Sequence, residues 1–135
     1  MRIEVAGIPA PQGSKRHVGG GRMVEMSRAV GPWREAVRAE TQRALEQLPE
    51  PEGFLEGPVH VDVDFRLPRP KTAPRRVRYP AKRPDLDKLT RAVLDGLVSG
   101  GAMADDSQVV SLVASKNFAG HYPPGCVILV EAFGD

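Results

Sequence analysis

Hydrophobic and polar positions alternate with a period of two in several short stretches and with a helical period in two longer ones. Arg2-Ile3-Glu4-Val5-Ala6-Gly7-Ile8 alternates and stops at Pro9, which predicts a first strand. The cleanest alternation sets Val59, Val61, Val63, Phe65 and Leu67 against His60, Asp62, Asp64 and Arg66, a strand with one buried and one wet face. Val109–Ser115 and Cys126–Phe133 predict two more strands. Trp33, Val37, Ala44, Leu45 and Leu48 recur at roughly helical spacing up to Pro49, predicting a helix over 30–48, with Ser27 as a cap and Pro32 in the first turn. The clearest helix is 85–98. Asp85 follows Pro84 and suits the N-cap, Asp87 adds a second carboxylate against the helix dipole, and Leu86, Leu89, Val93, Leu94 and Leu97 form the apolar stripe. Ser99-Gly100-Gly101 ends it.

The segments between these elements are punctuated by glycine and proline. Residues 9–27 predict a loop or a loose hairpin, with Met23-Val24-Glu25-Met26 as the return strand. Residues 49–57 predict a breaker loop, and the prolines of 68–84 forbid a regular ladder or helix, leaving an extended, solvated, mobile connection. No internal repeat or domain boundary is visible. The expectation is one α/β (α+β) domain over residues 1–135, a mixed sheet of about five strands with two helices.

Composition adds little until charge is followed along the chain. The totals, 19 Lys+Arg against 17 Asp+Glu, give a formal charge of +2 over 135 residues. Yet Arg66, Arg69, Lys71, Arg75, Arg76, Arg78, Lys82 and Arg83 fall in one stretch without an acid, leaving the other eleven bases against all seventeen acids. A cationic stretch beside an acidic body suits a polyanion, and a solvated charged loop is the plainer alternative. The lone Cys126 excludes an internal disulfide framework and a cysteine zinc cage. No apolar run approaches a membrane span, and the first residues lack the apolar core of a signal peptide, so a cytoplasmic protein with no membrane partner is expected.

The densest chemistry lies in Arg83-Pro84-Asp85-Leu86-Asp87-Lys88-Leu89, followed by Asp105-Asp106. Two carboxylates at i and i+2, where an extended segment enters a helix, can converge on one point. Asp105-Asp106 stands at the far end of a helix about 20 Å long, at roughly 1.5 Å per residue. Either a chain that folds back or the approach of a second subunit would bring the two pairs together. Carboxylates suit Mg²⁺, a hard ion that also takes water and phosphate oxygens and polarises a phosphodiester. The adjoining cations would hold a DNA or RNA backbone without reading its sequence. Without a metal, Asp85 and Asp87 still serve as cap and dipole partner, and Asp105-Asp106 after Gly-Gly is good turn chemistry.

Arg83-Pro-Asp85-Leu-Asp87-Lys-Leu89, then Arg91, Asp95-Gly-Leu97 and Gly101-x-x-x-Asp105-Asp106-Ser-Gln108-Val109, resembles the signature of RusA-type Holliday-junction resolvases. These are small dimeric endodeoxyribonucleases, often encoded by phages and prophages. The likeness extends loosely to Gly7-Ile-Pro-Ala-Pro11 and to Trp33-Arg34 with Val37. The resemblance implies that Asp85, Asp87 and Asp106 bind Mg²⁺, with Mn²⁺ as a substitute, and that Asp105 is an auxiliary acid. It implies a homodimer, branched DNA with four-way junctions as the partner, no organic cofactor, and a role in recombination and repair in a bacterial cytoplasm or a phage-infected host. Resolution would proceed by paired symmetric nicks, in-line attack of water leaving 5′-phosphates. The family often has a functional lysine one turn after the second Asp; here Arg91 stands there, and Lys88 stands where asparagine is common. Arg91 and Lys88 would offset charge at phosphorus. Arg91 also lies four residues from both Asp87 and Asp95, so an ion-pair ladder is an equal reading. Lys15, Arg16, Arg69, Lys71, Arg75, Arg76, Arg78, Lys82 and Arg83 are the expected DNA contacts.

Other residues suggest less. Asp62 and Asp64 fit the polar face of a strand, His17, His60 and His121 show no metal-ligand spacing, and Trp33 and Cys126 fit a core. Gly19-Gly20-Gly21 lacks the Lys-Ser/Thr ending of a phosphate loop. Two rivals stand beside a junction resolvase: a broader flap or fork nuclease, and a non-catalytic DNA-binding module whose acids only form caps and turns.

Overall fold

A computed structural model describes the backbone of residues 1–13, 15–18, 22–25, 28–49 and 54–134, and the side chains of 1–13, 28–49 and 54–134. Its elements are β1 (Arg2–Ala6), β2 (Lys15–Val18), β3 (Arg22–Glu25), α1 (Val30–Glu46), β4 (Val59–Leu67), α2 (Leu86–Ser99), a short 3-10 turn (Asp106–Gln108), β5 (Val109–Phe118) and β6 (Gly125–Ala132). Four strands form one mixed sheet in the order β1-β6-β4-β5, in which β4 and β5 are parallel and the other neighbours antiparallel. The parallel pair requires a crossover, and α2 supplies it. The fifth expected strand exists but lies elsewhere: β3 pairs with β2 as a separate two-stranded ribbon. A hairpin closes on its own local partner, so its strands need no place in the main sheet.

The alternation of β4 sorts its side chains as expected. Val59, Val61, Val63, Phe65 and Leu67 are buried beneath the helices with Ile3, Val5, Cys126, Ile128 and Val130. Cys126 packs here as a small hydrophobe, and burial pushes its thiol up to about 12. Trp33 and Val37 attach α1 to the same core. On the opposite face of the sheet, Ser115 Oγ and Asn117 Nδ2 donate to Asp64 Oδ1 at 3.0 and 2.7 Å, and His60 Nδ1 lies 2.8 Å from Ser111 Oγ.

α1 and α2 pack closely because α2 presents two glycines, one turn apart, to its neighbour. A Cβ on Gly96 would lie 2.5 Å from Val37 Cγ1, and one on Gly100 2.6 Å from Thr41 Cβ. This approach brings Arg34 and Arg38 of α1 to the C-terminal half of α2. Helix α1 ends two residues earlier than its apolar spacing suggests, and its N-cap is Ala29 without a side-chain cap bond; Ser27, the expected cap, lies outside the described residues. Among the described residues no helix is long and apolar enough to cross a membrane.

Candidate active site

The chain enters α2 through Asp85, whose backbone is extended, with φ −71° and ψ 138°. That is N-cap geometry, yet the Asp85 carboxylate makes no capping hydrogen bond. Among the described residues its one ion pair is with Lys88, whose Nζ stands 3.6 Å from Oδ2. Asp87, in the first turn, is exposed and lies within 4 Å of no described base. Among the described residues neither carboxylate accepts a hydrogen bond, and both stand at the positive end of a helix dipole. Hard oxygen donors in that state fit a divalent cation that completes its shell with water and phosphate oxygens.

What holds this entrance in place is a residue the sequence did not single out. Lys116 of β5 donates from Nζ to Lys82 O at 2.7 Å and Pro84 O at 2.8 Å. The strand thus grips two of the three carbonyls just before Asp85. No side-chain pattern signals such a contact, because the partners are backbone atoms. From the other side, Gln12 N donates to Lys88 O at 3.0 Å.

The connection 68–84 is not extended. Ala73 N bonds Pro70 O and Val77 N bonds Pro74 O, both at 3.0 Å, so it folds into successive tight turns. Arg69 staples them: its guanidinium donates to Val77 O at 2.8 Å and to Pro74 O, and stacks 4.8 Å over the Phe118 ring. Arg66 is likewise engaged, 5.2 Å over Tyr122. Proline withdraws its own N–H but leaves a carbonyl, and those carbonyls are what a cation can gather. Lys71, Arg75, Arg76, Arg78, Lys82 and Arg83 remain exposed, with no carboxylate within 4 Å among the described residues. Lys15 and Arg16 belong to β2, and their side chains, like that of His17, lie outside the described residues.

The second acidic pair lies elsewhere. Asp105 caps the 3-10 turn, accepting from Ser107 N at 2.8 Å, while Gln108 Oε1 accepts from Ala104 N and Asp105 N at 2.8 and 3.1 Å. The Gln108 amide also donates to Leu55 O and Gly57 O at 2.9 and 3.0 Å, tying the turn to the 54–57 segment. Asp-x-x-Gln before a strand is a readable capping signal. The Ser107 N–H holds the Asp105 carboxyl below its usual value. Asp106 shifts the other way, raised first by partial loss of water, then by its hydrogen bond with Asp105 and the charges of Asp105 and Asp95, with Arg91 opposing.

Asp106 therefore shares a hollow of about 500 Å³ with Asp95, Arg34, Arg38 and Ser99, not with Asp85 and Asp87. Arg34 Nη1 stands 3.8 Å from Asp95 Oδ2 and 3.0 Å from Gln12 Oε1. Asp85 and Lys88 line a different hollow with Arg83 and Pro9. Asp87 and Asp95 are eight residues apart on one helix, about 12 Å along its axis. Accordingly, no three metal-ligating side chains gather within one chain among the described residues. Arg91 is exposed on α2 and pairs with neither Asp87 nor Asp95 within 4 Å, so the ladder is not formed.

Acids able to hold a cation, with cations able to hold phosphates next to them in the chain, suit a protein that handles the backbone of a nucleic acid. Comparison with protein families makes the class specific. The family model described as Endodeoxyribonuclease RusA matches residues 5–131, nearly the whole chain, and the chain belongs to that family. It is thus a nuclease, a hydrolase of phosphodiesters, from a family that resolves Holliday junctions and acts on branched DNA. No curated protein matches it.

Proposed function

We propose that the protein is a Mg²⁺-dependent homodimer that resolves four-way junctions by paired nicks. The observation that carries this reading is the pair of exposed carboxylates, Asp85 and Asp87, at the N-terminus of α2, with Asp85 making no capping bond, beside six exposed cations that have no acidic partner within 4 Å among the described residues. These two residues would hold the metal, which supplies polarisation of the scissile phosphodiester and offsets charge on its leaving oxygen. Lys88 and Arg91, on the following turn, face the same incoming phosphate; Arg91 can do so as a fork that stays charged at any working pH. Lys71, Arg75, Arg76, Arg78, Lys82 and Arg83 hold the flanking backbone, with Lys15 and Arg16 extending the grip.

That Asp106 and Asp85 line different hollows favours a dimer over a chain that folds back. Strand β5 is an edge of the sheet, with Val110, Leu112 and Val113 exposed along it. Such an edge is a template for another strand. Asp106 immediately precedes β5, whereas Lys116, near its other end, grips the entrance to Asp85. Two copies paired antiparallel through β5 about a two-fold axis would set the Asp106 end of one beside the Asp85 end of the other. The same symmetry gives two sites for the two strands of a junction.

Asp87→Asn tests the metal site. Cleavage of a synthetic four-way junction in Mg²⁺ should disappear while binding persists or strengthens, because a repelling charge is removed. Undiminished cleavage would overturn the assignment.

A further inference from the structure

Beneath the basic connection lies a hollow of about 350 Å³, lined mainly by apolar groups, among them Ile8, Pro70, Ala73, Val77, Tyr79 and Phe118. Its rim continues through Lys82, Arg83 and Pro84, so it opens next to Asp85. Aromatic side chains at this end of the molecule divide into two kinds. Phe118 and Tyr122 each have an arginine stacked on one face. Tyr79 is 67% exposed and no cation covers its ring among the described residues. Arg75, Arg76 and Arg78 precede it and Lys82 and Arg83 follow, all exposed and without acidic partners within 4 Å among the described residues.

We propose that this hollow receives one unpaired nucleobase from the DNA branch point, stacked on Tyr79. The inference rests on the junction-binding function proposed above and names a subsite of that function. An apolar slot alone would not select an occupant. Bordered by Lys82 and Arg83, with Arg75, Arg76 and Arg78 close by in the chain, it suits a flat group with apolar faces carried on a polyanion, which is what a nucleobase is. The branch point is where such a base is cheapest to supply, since a pair at the exchange lacks a stacking neighbour on one side. The slot is also held in shape beforehand: Arg69 ties the turns together, Lys116 fixes Lys82 and Pro84, and Ala81 N bonds Tyr79 O at 2.9 Å. Preorganisation limits the ordering cost of binding. Placed beside Asp85, a captured base would fix which phosphate of the junction meets the carboxylates.

The test uses a four-way junction carrying 5-iodouracil at the branch point, irradiated with the full-length protein in a chelator. Working without metal separates this subsite from the hydrolytic reading, which the Asp87→Asn experiment decides independently. The expected result is a photocrosslink mapping to Tyr79, retained in Tyr79→Phe and lost in Tyr79→Ala. Junction affinity should fall about tenfold in Tyr79→Ala and be restored in Tyr79→Phe, from the usual worth of one stacked base. Ala73→Phe, which fills the slot while leaving Tyr79 in place, should also lose the crosslink. Duplex DNA with the same modified base should crosslink weakly in every variant. A crosslink mapping outside the hollow, equal yields from duplex and junction, or an affinity unchanged in Tyr79→Ala would overturn the proposal. So would a Tyr79→Ala protein whose main change is its oligomeric mass, because the hollow would then seat a second copy of the chain.

Discussion

The two ends of α2 carry the same chemistry in sequence, a pair of aspartates beside a turn, and treat it in opposite ways. At the N-terminal end, among the described residues, Asp85 and Asp87 make no side-chain hydrogen bond, and Asp85 alone has a cation beside it, Lys88. At the C-terminal end, Asp105 is committed to Ser107 N, and Asp106 stands among Asp95, Asp105 and the arginines of α1. A cap must direct its oxygens inward to backbone N–H groups, whereas a ligand must keep them outward. Asp85 sits in cap position without acting as a cap. The difference separates an aspartate the fold uses as a cap from one in cap position that it does not, and the proposed metal site rests on that difference.

Mixing two inactive proteins gives the largest expected effect. If Asp85 and Asp87 of one subunit work with Asp106 of the other, Asp87→Asn and Asp106→Asn should each lose at least about 10²–10³ in cleavage rate. Re-equilibrated together at equal amounts, they should recover about a quarter of the wild-type sites, since half the dimers are mixed and each holds one intact site. The recovered products should be single nicks. No recovery, with mixed dimers demonstrated by native mass spectrometry, would place both acidic pairs in one subunit's site.

Arg91 lies between the two ends and distinguishes phosphate binding from helix support. Arg91→Ala should slow cleavage about 10–100-fold with a melting temperature changed by no more than a degree or two, and Arg91→Lys should keep most of the rate. Were Arg91 only half of an i,i+4 pair, Ala would cost a few tenths of a kcal/mol and cleavage would not change.

How much of this was legible in the sequence follows from which atoms do the work. Side-chain periodicity announced β4, α2 and their buried faces, because Val61, Phe65 or Leu89 can be placed by hydropathy alone. The Asp85-Leu-Asp87 entrance was legible for the same reason: a helix start and an i, i+2 spacing are local. The separate β2–β3 ribbon was not, since a short polar hairpin looks the same whether or not it joins a larger sheet. Nor were Lys116 and Arg69 as organisers of the connection, because their partners are the carbonyls of Lys82, Pro84, Pro74 and Val77. Prolines identified the segment as irregular without saying that its free carbonyls would be gathered by two cations. Sequence also left open how Asp106 could reach Asp85, and the structure places the two in different hollows, which is why the proposed site calls on a second copy.

Gln108 probes the closed end alone. Its amide takes part in four hydrogen bonds that join the Asp105 turn to the 54–57 segment. Gln108→Ala should cost about 0.5–1.5 kcal/mol, because three of the four bonds are exposed and only the one to Leu55 O is partly buried, read as a lower urea midpoint. Gln108→Glu should be nearly as costly, because it keeps the acceptor for Ala104 N and Asp105 N but turns an oxygen toward Leu55 O and Gly57 O. A loss confined to Glu would show that the added charge matters and the four bonds do not.

The smallest effect has a sign that contrasts two adjacent residues. Asp105 has its folded pKa lowered, so its contribution is present above the unfolded value and is lost as pH falls through the folded one. Asp106 has its folded pKa raised, so its contribution is full below the unfolded value and is lost as pH rises through the folded one. Both side chains are solvent-exposed, which keeps each difference to about a degree in melting temperature. Asp106→Asn should therefore melt slightly above wild type at pH 7 and lose that advantage near pH 3, whereas Asp105→Asn should melt slightly below at pH 7 and converge with wild type in acid. Parallel pH profiles for the two variants would mean that the turn does not distinguish its two carboxylates. Opposed profiles would show that Asp106 carries its charge against the preference of the fold, as a carboxylate kept for a cation does.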